Sequence, residues 1–190
     1  MYDFFLKKKN KELLSKNIYL RYPIIDDWKE WAELRQKSKN FLQPWEPQWP
    51  KNFLTKNSFN FFINDNYRMS ENNSGYNFFI FHYKKDILMG GISLTNLRFG
   101  AYQSVNMGYW MGKDFSGKGY MQEAIKCICN FCFKDLQINR IEAACIPRNI
   151  VSKRVLISSG FAIEGFARKY LKINGKFEDH ILFAKLKKKN

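Results

Sequence analysis

Acidic residues are scarce in this chain: 17 against 32 lysines and arginines, a formal net charge of +15 over 190 residues. That balance argues against a cationic partner in solution and favours an anionic ligand, an acidic surface or RNA. Histidine is scarcer still, with two copies far apart in sequence. The four cysteines do not make up for it. Cys127, Cys129 and Cys132 fall in a helical stretch that fans them around its axis, and Cys145 is distant, so zinc spacing is missing and no metal is expected. Reduced, mostly buried thiols in a cytoplasmic protein are expected instead. No run of 18 apolar residues exists, which excludes a membrane-spanning helix. The N-terminus lacks an apolar core followed by a small-residue cleavage site, so no signal peptide is expected. Repeats and linkers are also lacking. Aromatic bulk is plentiful, with 18 Phe, 10 Tyr and 5 Trp, ample for the core of one domain. Basic runs lie near both ends ("KKKNK" and "KLKKKN"), as solvated tails or as contacts to RNA or the ribosome.

Hydrophobic periodicity divides the rest of the chain into elements. "NIYLRYP" (17–23) alternates as a short strand that Pro23 ends. Asp26 or Asp27 caps a helix to about Lys39, with Trp28, Trp31, Ala32 and Leu34 as its apolar face. Three prolines in "FLQPWEPQWP" (41–50) argue against both helix and strand there. A helix over roughly 55–71 places Phe59, Phe62, Ile63 and Tyr67 at helical spacing. Strands follow at 76–83, 87–97 and 104–112, the second with a bulge or close packing at Gly90-Gly91, the third interrupted at Gly108. Residues 120–136 form the clearest helix, with Met121, Ala124, Ile125, Ile128, Phe131 and Cys132 inward. A strand at 139–146, a helix at 150–159 closed by Gly160, and a hairpin turning at Asn174-Gly175 complete the chain. The order β-α-α-β-β-β-α-β-α-β-β describes one mixed α/β domain over 17–186, after a basic extension (1–16) and before a basic tail (187–190).

"GKDFSGKGY" (112–120) opens like a nucleotide-triphosphate loop, G-x-x-x-x-G-K. That chemistry needs a hydroxyl after the lysine to hold magnesium, and a parallel framework. Gly119 has no hydroxyl and the preceding strands are antiparallel hairpins. A different cradle fits better. Gly117 and Gly119 let the backbone approach an anion, and the helix that starts near Tyr120 adds unsatisfied N–H donors and a positive dipole end. Lys113 and Lys118 add charge. The site suits a pyrophosphate, and an ordinary glycine turn is the alternative.

"SGKGYMQEAI" followed by "NRIEAACIPRNIVSKRVLISSGFAIEGFARKY" resembles the second half of a GNAT N-acetyltransferase. With "FLQPWEP" and "FARKYLKINGKFEDHIL", the resemblance spans most of residues 18–186 and narrows to the RimJ/RimL branch, RimJ above all. It implies the GNAT fold: a mixed, mostly antiparallel sheet flanked by about four helices. It also implies acetyl-coenzyme A as cosubstrate, with its pyrophosphate held by the loop from Ser116 to Met121 (Ser116, Gly117, Lys118, Gly119, Tyr120, Met121). Only Gly119 matches the family's glycine pattern cleanly; Ser116 replaces a Gln or Arg, and Met121 a small residue. Splaying of strand 104–112 from strand 139–146, with a bulge expected at Gly108, leaves N–H donors near Trp110 and Met111 for the coenzyme and its carbonyl. Asn149 is expected to contact the coenzyme as well as cap its helix. Ser152 is expected to protonate the thiolate, or merely to fill a first helical turn; Tyr109 and Tyr120 are alternative hydroxyls. For a general base, Glu46 in the proline-aromatic loop and Glu142 on its strand are equal candidates. His82 and His180 are read as structural.

For the acceptor, the resemblance implies the N-terminal α-amino group, on alanine, of a ribosomal protein, with the small ribosomal subunit as a docking partner. No membrane or DNA partner is expected, and the chain is expected to be a monomer or weak homodimer. Two alternatives remain open: a polyamine or aminoglycoside acceptor, and a ribosome-assembly binding factor with vestigial activity.

Overall fold

Two-sided burial is written into "YNFFIFH". In the computed structural model, which describes residues 12–188, this segment is a central strand. Tyr76, Phe78 and Ile80 face one apolar cluster, while Phe79 and Phe81 face another. A strand covered on both faces reads as a continuous apolar run. The elements in chain order are β1 (Leu13–Leu14), β2 (Ile18–Arg21), α1 (Trp28–Lys37), the single turn α2 (Lys39–Leu42) and α3 (Lys56–Glu71). β3 (Tyr76–His82), β4 (Leu88–Arg98), β5 (Ser104–Met111), α4 (Tyr120–Asn130) and β6 (Arg140–Cys145) follow. α5 (Ile150–Ser158), β7 (Ala162–Ile173) and β8 (Lys176–Leu186) close the domain. Eight strands form one sheet in the order β1-β2-β3-β4-β5-β6-β8-β7. All neighbours are antiparallel except β5 and β6. The expected α/β architecture is present.

α4 packs on the first face, and the six residues expected inward are all buried. α1 and α3 cover the other face around Trp31, Phe59, Phe79, Phe81 and Leu88. Asn174 and Gly175 both take positive φ, 44° and 86°, as the tight turn of the β7–β8 hairpin requires.

Several expectations need correction. Residues 1–11 of the expected basic extension, with "KKKNK", lie outside the described residues, as do 189 and 190 of the tail. Within the extension, Leu13–Leu14 pairs with Leu20 and Tyr19 as an extra edge strand. Asp27 does not cap α1 with its side chain. It accepts from the Ile24 backbone N–H at 2.8 Å and pairs with Arg21 at 2.6 Å, so it locks the turn before the helix. The start of the proline-rich loop is helical: α2 runs into a 3-10 turn at Gln43–Trp45, where Pro44 sits in the first turn and costs no hydrogen bond. Tyr67 is half exposed, and Asn66 takes the inward position, accepting from the Asn77 N–H at 2.8 Å. Helix 120–136 ends in a π turn over Phe131–Asp135. Gly108 carries no bulge, because Ser93↔Gly108 pairs in regular register. The bulge expected beside Gly90-Gly91 is present in β4, where Ile80↔Gly90 is followed by Phe81↔Leu88. Gly90 is there for close approach: a Cβ would meet the Trp110 carbonyl oxygen at 2.4 Å.

Candidate active site

The parallel strands β5 and β6 share only three pairs, Ser104↔Arg140, Val105↔Ile141 and Asn106↔Glu142. Beyond them, β5 stays on β4 as far as Met111, and β6 follows β8 as far as Cys145. The strands part, and the gap opens into a cleft of about 940 Å³. Peptide direction alternates along a strand. The Gly112 N–H donates to the Met89 carbonyl at 2.8 Å, and the Trp110 carbonyl also faces β4. The N–H groups of Tyr109 and Met111 therefore face the cleft, and that of Trp110 does not. The Trp110 indole lies on the α1 side, 3.8 Å beneath the Arg35 guanidinium.

At one end of the cleft stands the glycine loop. Gly117 and Gly119 have φ of +76° and +84°, and a Cβ on either would meet nothing within 4 Å. Glycine there serves the left-handed backbone and leaves open space in front of it. Ser116, Gly117, Gly119, Tyr120 and Met121 line the cleft, and the free N–H groups of α4's first turn begin there. Met121 is 6% exposed and packs in the core, which accounts for a large residue where the family pattern is small. Lys118 is exposed outside the lining.

Asn149 caps α5 by accepting from the Ser152 N–H at 3.0 Å, and both residues line the cleft. The hydroxyls of Ser152 and Tyr109 lie 2.8 Å apart across the splay. Burial pushes the Tyr109 phenol well above its usual range, against the opposing Ser152 hydrogen bond, so it stays protonated. Burial likewise pushes up the thiol of Cys145 in the cleft wall.

The two base candidates separate. Glu46 lines the cleft mouth, but Arg35 Nη1 lies 2.7 Å from both its oxygens and Trp49 Nε1 donates to Oε2 at 2.9 Å. Its backbone carbonyl accepts from Asn174 N–H at 2.9 Å, tying the proline-aromatic loop to the hairpin tip. Glu142 is not brought to the cleft. It points to the sheet surface, held by Arg98 at 3.2 Å and Arg140 at 2.7 Å. Arg148 and His180 are among the residues of the cleft wall that the sequence did not mark. Arg148 pairs with Glu178 at 2.7 Å and lies 5.7 Å over Trp45, while His180 is buried beside the mouth. Only the register Cys145↔Ile181, between strands far apart in sequence, puts His180 there.

The family model for an acetyltransferase (GNAT) domain matches residues 17–162. The chain is 36% identical to "Probable N-acetyltransferase YjcK" of Bacillus subtilis, over 90% of this chain and 95% of that one. Its structure resembles that of a ribosomal-protein-alanine acetyltransferase from Vibrio fischeri (TM-score 0.87, 29% identity, 93% of this chain, 97% of that one). It also resembles Mycobacterium smegmatis RimJ in complex with CoA-disulfide (TM-score 0.85, 28% identity, 89% of this chain, 81% of that one). The chain belongs to the GNAT acetyltransferase family, among relatives of the RimJ/RimL type.

Proposed function

We propose that this enzyme transfers acetyl from acetyl-coenzyme A to the N-terminal α-amino group, on alanine, of a ribosomal protein. One observation carries the reading: the splay between β5 and β6 opens directly onto the glycine loop and the N-terminus of α4. The residues present suit the coenzyme. Gly117 and Gly119 leave room for close backbone contact, α4 offers donors to a pyrophosphate, and Ser116 and Asn149 stand beside them. When bound, the coenzyme supplies an acetyl thioester. The N–H of Met111, with that of Tyr109, is aimed where a carbonyl oxygen needs polarising. The Ser152–Tyr109 hydroxyl pair is a protonated donor for a departing thiolate, with Ser152 assigned as the donor and Tyr109 as its partner.

Glu46 is assigned a positioning role, since its oxygens are engaged by Arg35 and Trp49. Among the described residues it is the one carboxylate lining the cleft, where Arg148, Arg154 and Lys172 also stand. That lining suits an anionic coenzyme and disfavours a polyamine acceptor. The ribosomal acceptor rests on the relatives' substrates and on the charge of +15, which suits docking on the RNA of a small ribosomal subunit. A monomer or weak homodimer in the cytoplasm completes the reading. Mass spectrometry of ribosomal proteins incubated with enzyme and acetyl-coenzyme A is expected to find one protein acetylated at its N-terminal alanine. Acetylation of free polyamines alone would refute the acceptor assignment.

A further inference from the structure

We propose that His180 is the base that takes the proton from the acceptor amine; this rests on the acetyl-transfer reading above. The ring's tautomer is fixed by its partner. His180 Nδ1 lies 3.0 Å from the Glu178 carbonyl oxygen. A carbonyl can only accept, so Nδ1 carries the hydrogen and the lone pair of the neutral ring resides on Nε2. Among the described residues, that bond is the only hydrogen bond the ring makes. Tyr170 meets the ring edge-on at a centroid distance of 5.6 Å, which restrains its orientation.

The position suits the task. His180 stands one residue beyond the last β6–β8 pair, Cys145↔Ile181, where β6 leaves the sheet for the cleft mouth. It is 3% exposed, yet lines the cleft with Glu46 and Ile173, the side on which the proline-aromatic loop meets the hairpin tip. His180 thus shares one cleft with the splayed end of β5 at Tyr109 and Met111.

Among the described residues, the other candidate bases are occupied or point away from the cleft. Glu46 is held by Arg35 and Trp49, and Glu142 points away from the cleft. Tyr109 and Ser152 hydrogen-bond each other, and burial keeps the tyrosine protonated, as suits a donor. An α-amino group releases its proton near pH 8, so a neutral imidazole is base enough. In the step, Nε2 takes one proton from the α-ammonium, and the neutral nitrogen then bonds to the acetyl carbon as the C–S bond breaks. The departing sulfur takes a proton from the Tyr109–Ser152 pair, and the second N–H proton, which any amine acceptor loses on acylation, passes through water to restore the hydroxyl. Water also removes the proton from the imidazolium, so ammonium and thioester become amide, thiol and one released proton.

The test compares wild type with His180→Gln and His180→Asn, using a peptide with a free α-amine and a hydroxylamine-type acceptor whose nitrogen arrives unprotonated. For the α-amine, kcat/KM is expected to fall about 100- to 1,000-fold, with stabilisation by acetyl-coenzyme A unchanged. The hydroxylamine is expected to lose only a few-fold. Equal losses on both acceptors would mark a structural role and overturn the proposal, as would near-normal activity on the α-amine. A ring-nitrogen NMR spectrum of the wild type gives a second readout, decisive even if both variants fail to fold: hydrogen on Nδ1 supports the proposal and hydrogen on Nε2 overturns it. A wild type that acetylates neither acceptor would sink the acetyl-transfer reading itself.

Discussion

Replacing Arg35 with methionine is expected to loosen the loop that roofs the cleft mouth while keeping an apolar stem beneath it. Arg35 Nη1 lies 2.7 Å from both oxygens of Glu46, with side-chain exposures of 9% and 20% for the two residues. The guanidinium also lies 3.8 Å over the Trp110 ring. Removing one partner of a buried pair costs about 3–5 kcal/mol. Glu46 is one-fifth exposed and keeps Trp49 as a donor, so the low end applies, about 3 kcal/mol with the lost cation–π contact included. At about 2–4 °C per kcal/mol for a chain of this size, Tm falls by roughly 6–12 °C. Thermal unfolding followed by circular dichroism measures it, within a double-mutant cycle. Glu46→Gln in the Arg35→Met background removes the stranded charge and is expected to recover at least about 1 kcal/mol relative to additivity. Strictly additive single effects, or a Tm drop under about 2 °C for Arg35→Met, would refute the reasoning that this pair locks the loop.

Other perturbations act on the cleft and at the sheet edge. Gly119→Glu is expected to weaken coenzyme binding at least about tenfold, measured calorimetrically, because a side chain fills the open front of the loop and adds repulsion. Its cost in stability is only about 1–2 kcal/mol, set by a left-handed φ on a non-glycine residue. Ser152→Ala is expected to lower kcat about 10- to 100-fold, and Tyr109→Phe by a comparable or smaller factor, with coenzyme affinity intact in steady-state and binding assays. Burial pushes the Glu123 carboxyl up, but hydrogen bonds from the Asn17 backbone, the Ser15 and Asn17 side chains and the Lys16 backbone together outweigh it, and the net shift is downward. A depressed folded pKa contributes stability above the ordinary carboxylate range that is lost as pH falls through the folded value. Glu123→Gln is therefore expected to flatten the acid limb of a Tm–pH curve.

What was legible in the sequence was local. The inward face of α4 repeats at 3.6 residues, and the Asn174-Gly175 turn needs two positive φ angles that those residues tolerate, so both could be read directly. The glycine loop and the helix start behind it were legible because a strand, a glycine pair and a helix start follow one another within a dozen residues. What depended on register was not legible. Glu142 and His180 lie on strands where a one-residue slip exchanges faces, and their sides are set by pairing across about 40 residues of chain, Cys145↔Ile181 among the pairs. Gly108 resembled a bulge and is none, whereas Gly90-Gly91 marked both features expected of it: the extra residue in the ladder is Met89 next to Gly90, and Gly90 answers to the Trp110 carbonyl. The turn through Pro44 shows that several prolines in one loop still leave room for helical turns where a missing N–H costs nothing.

The most direct test is thermal unfolding of the purified protein with and without acetyl-coenzyme A, because the splayed cleft is claimed as its site. At 100 times Kd the ligand stabilises by about 2.7 kcal/mol, which for this chain length is a rise in Tm of roughly 5–11 °C. That rise is expected in the wild type, and its loss in Gly119→Glu. A Tm unmoved by saturating acetyl-coenzyme A would contradict that assignment.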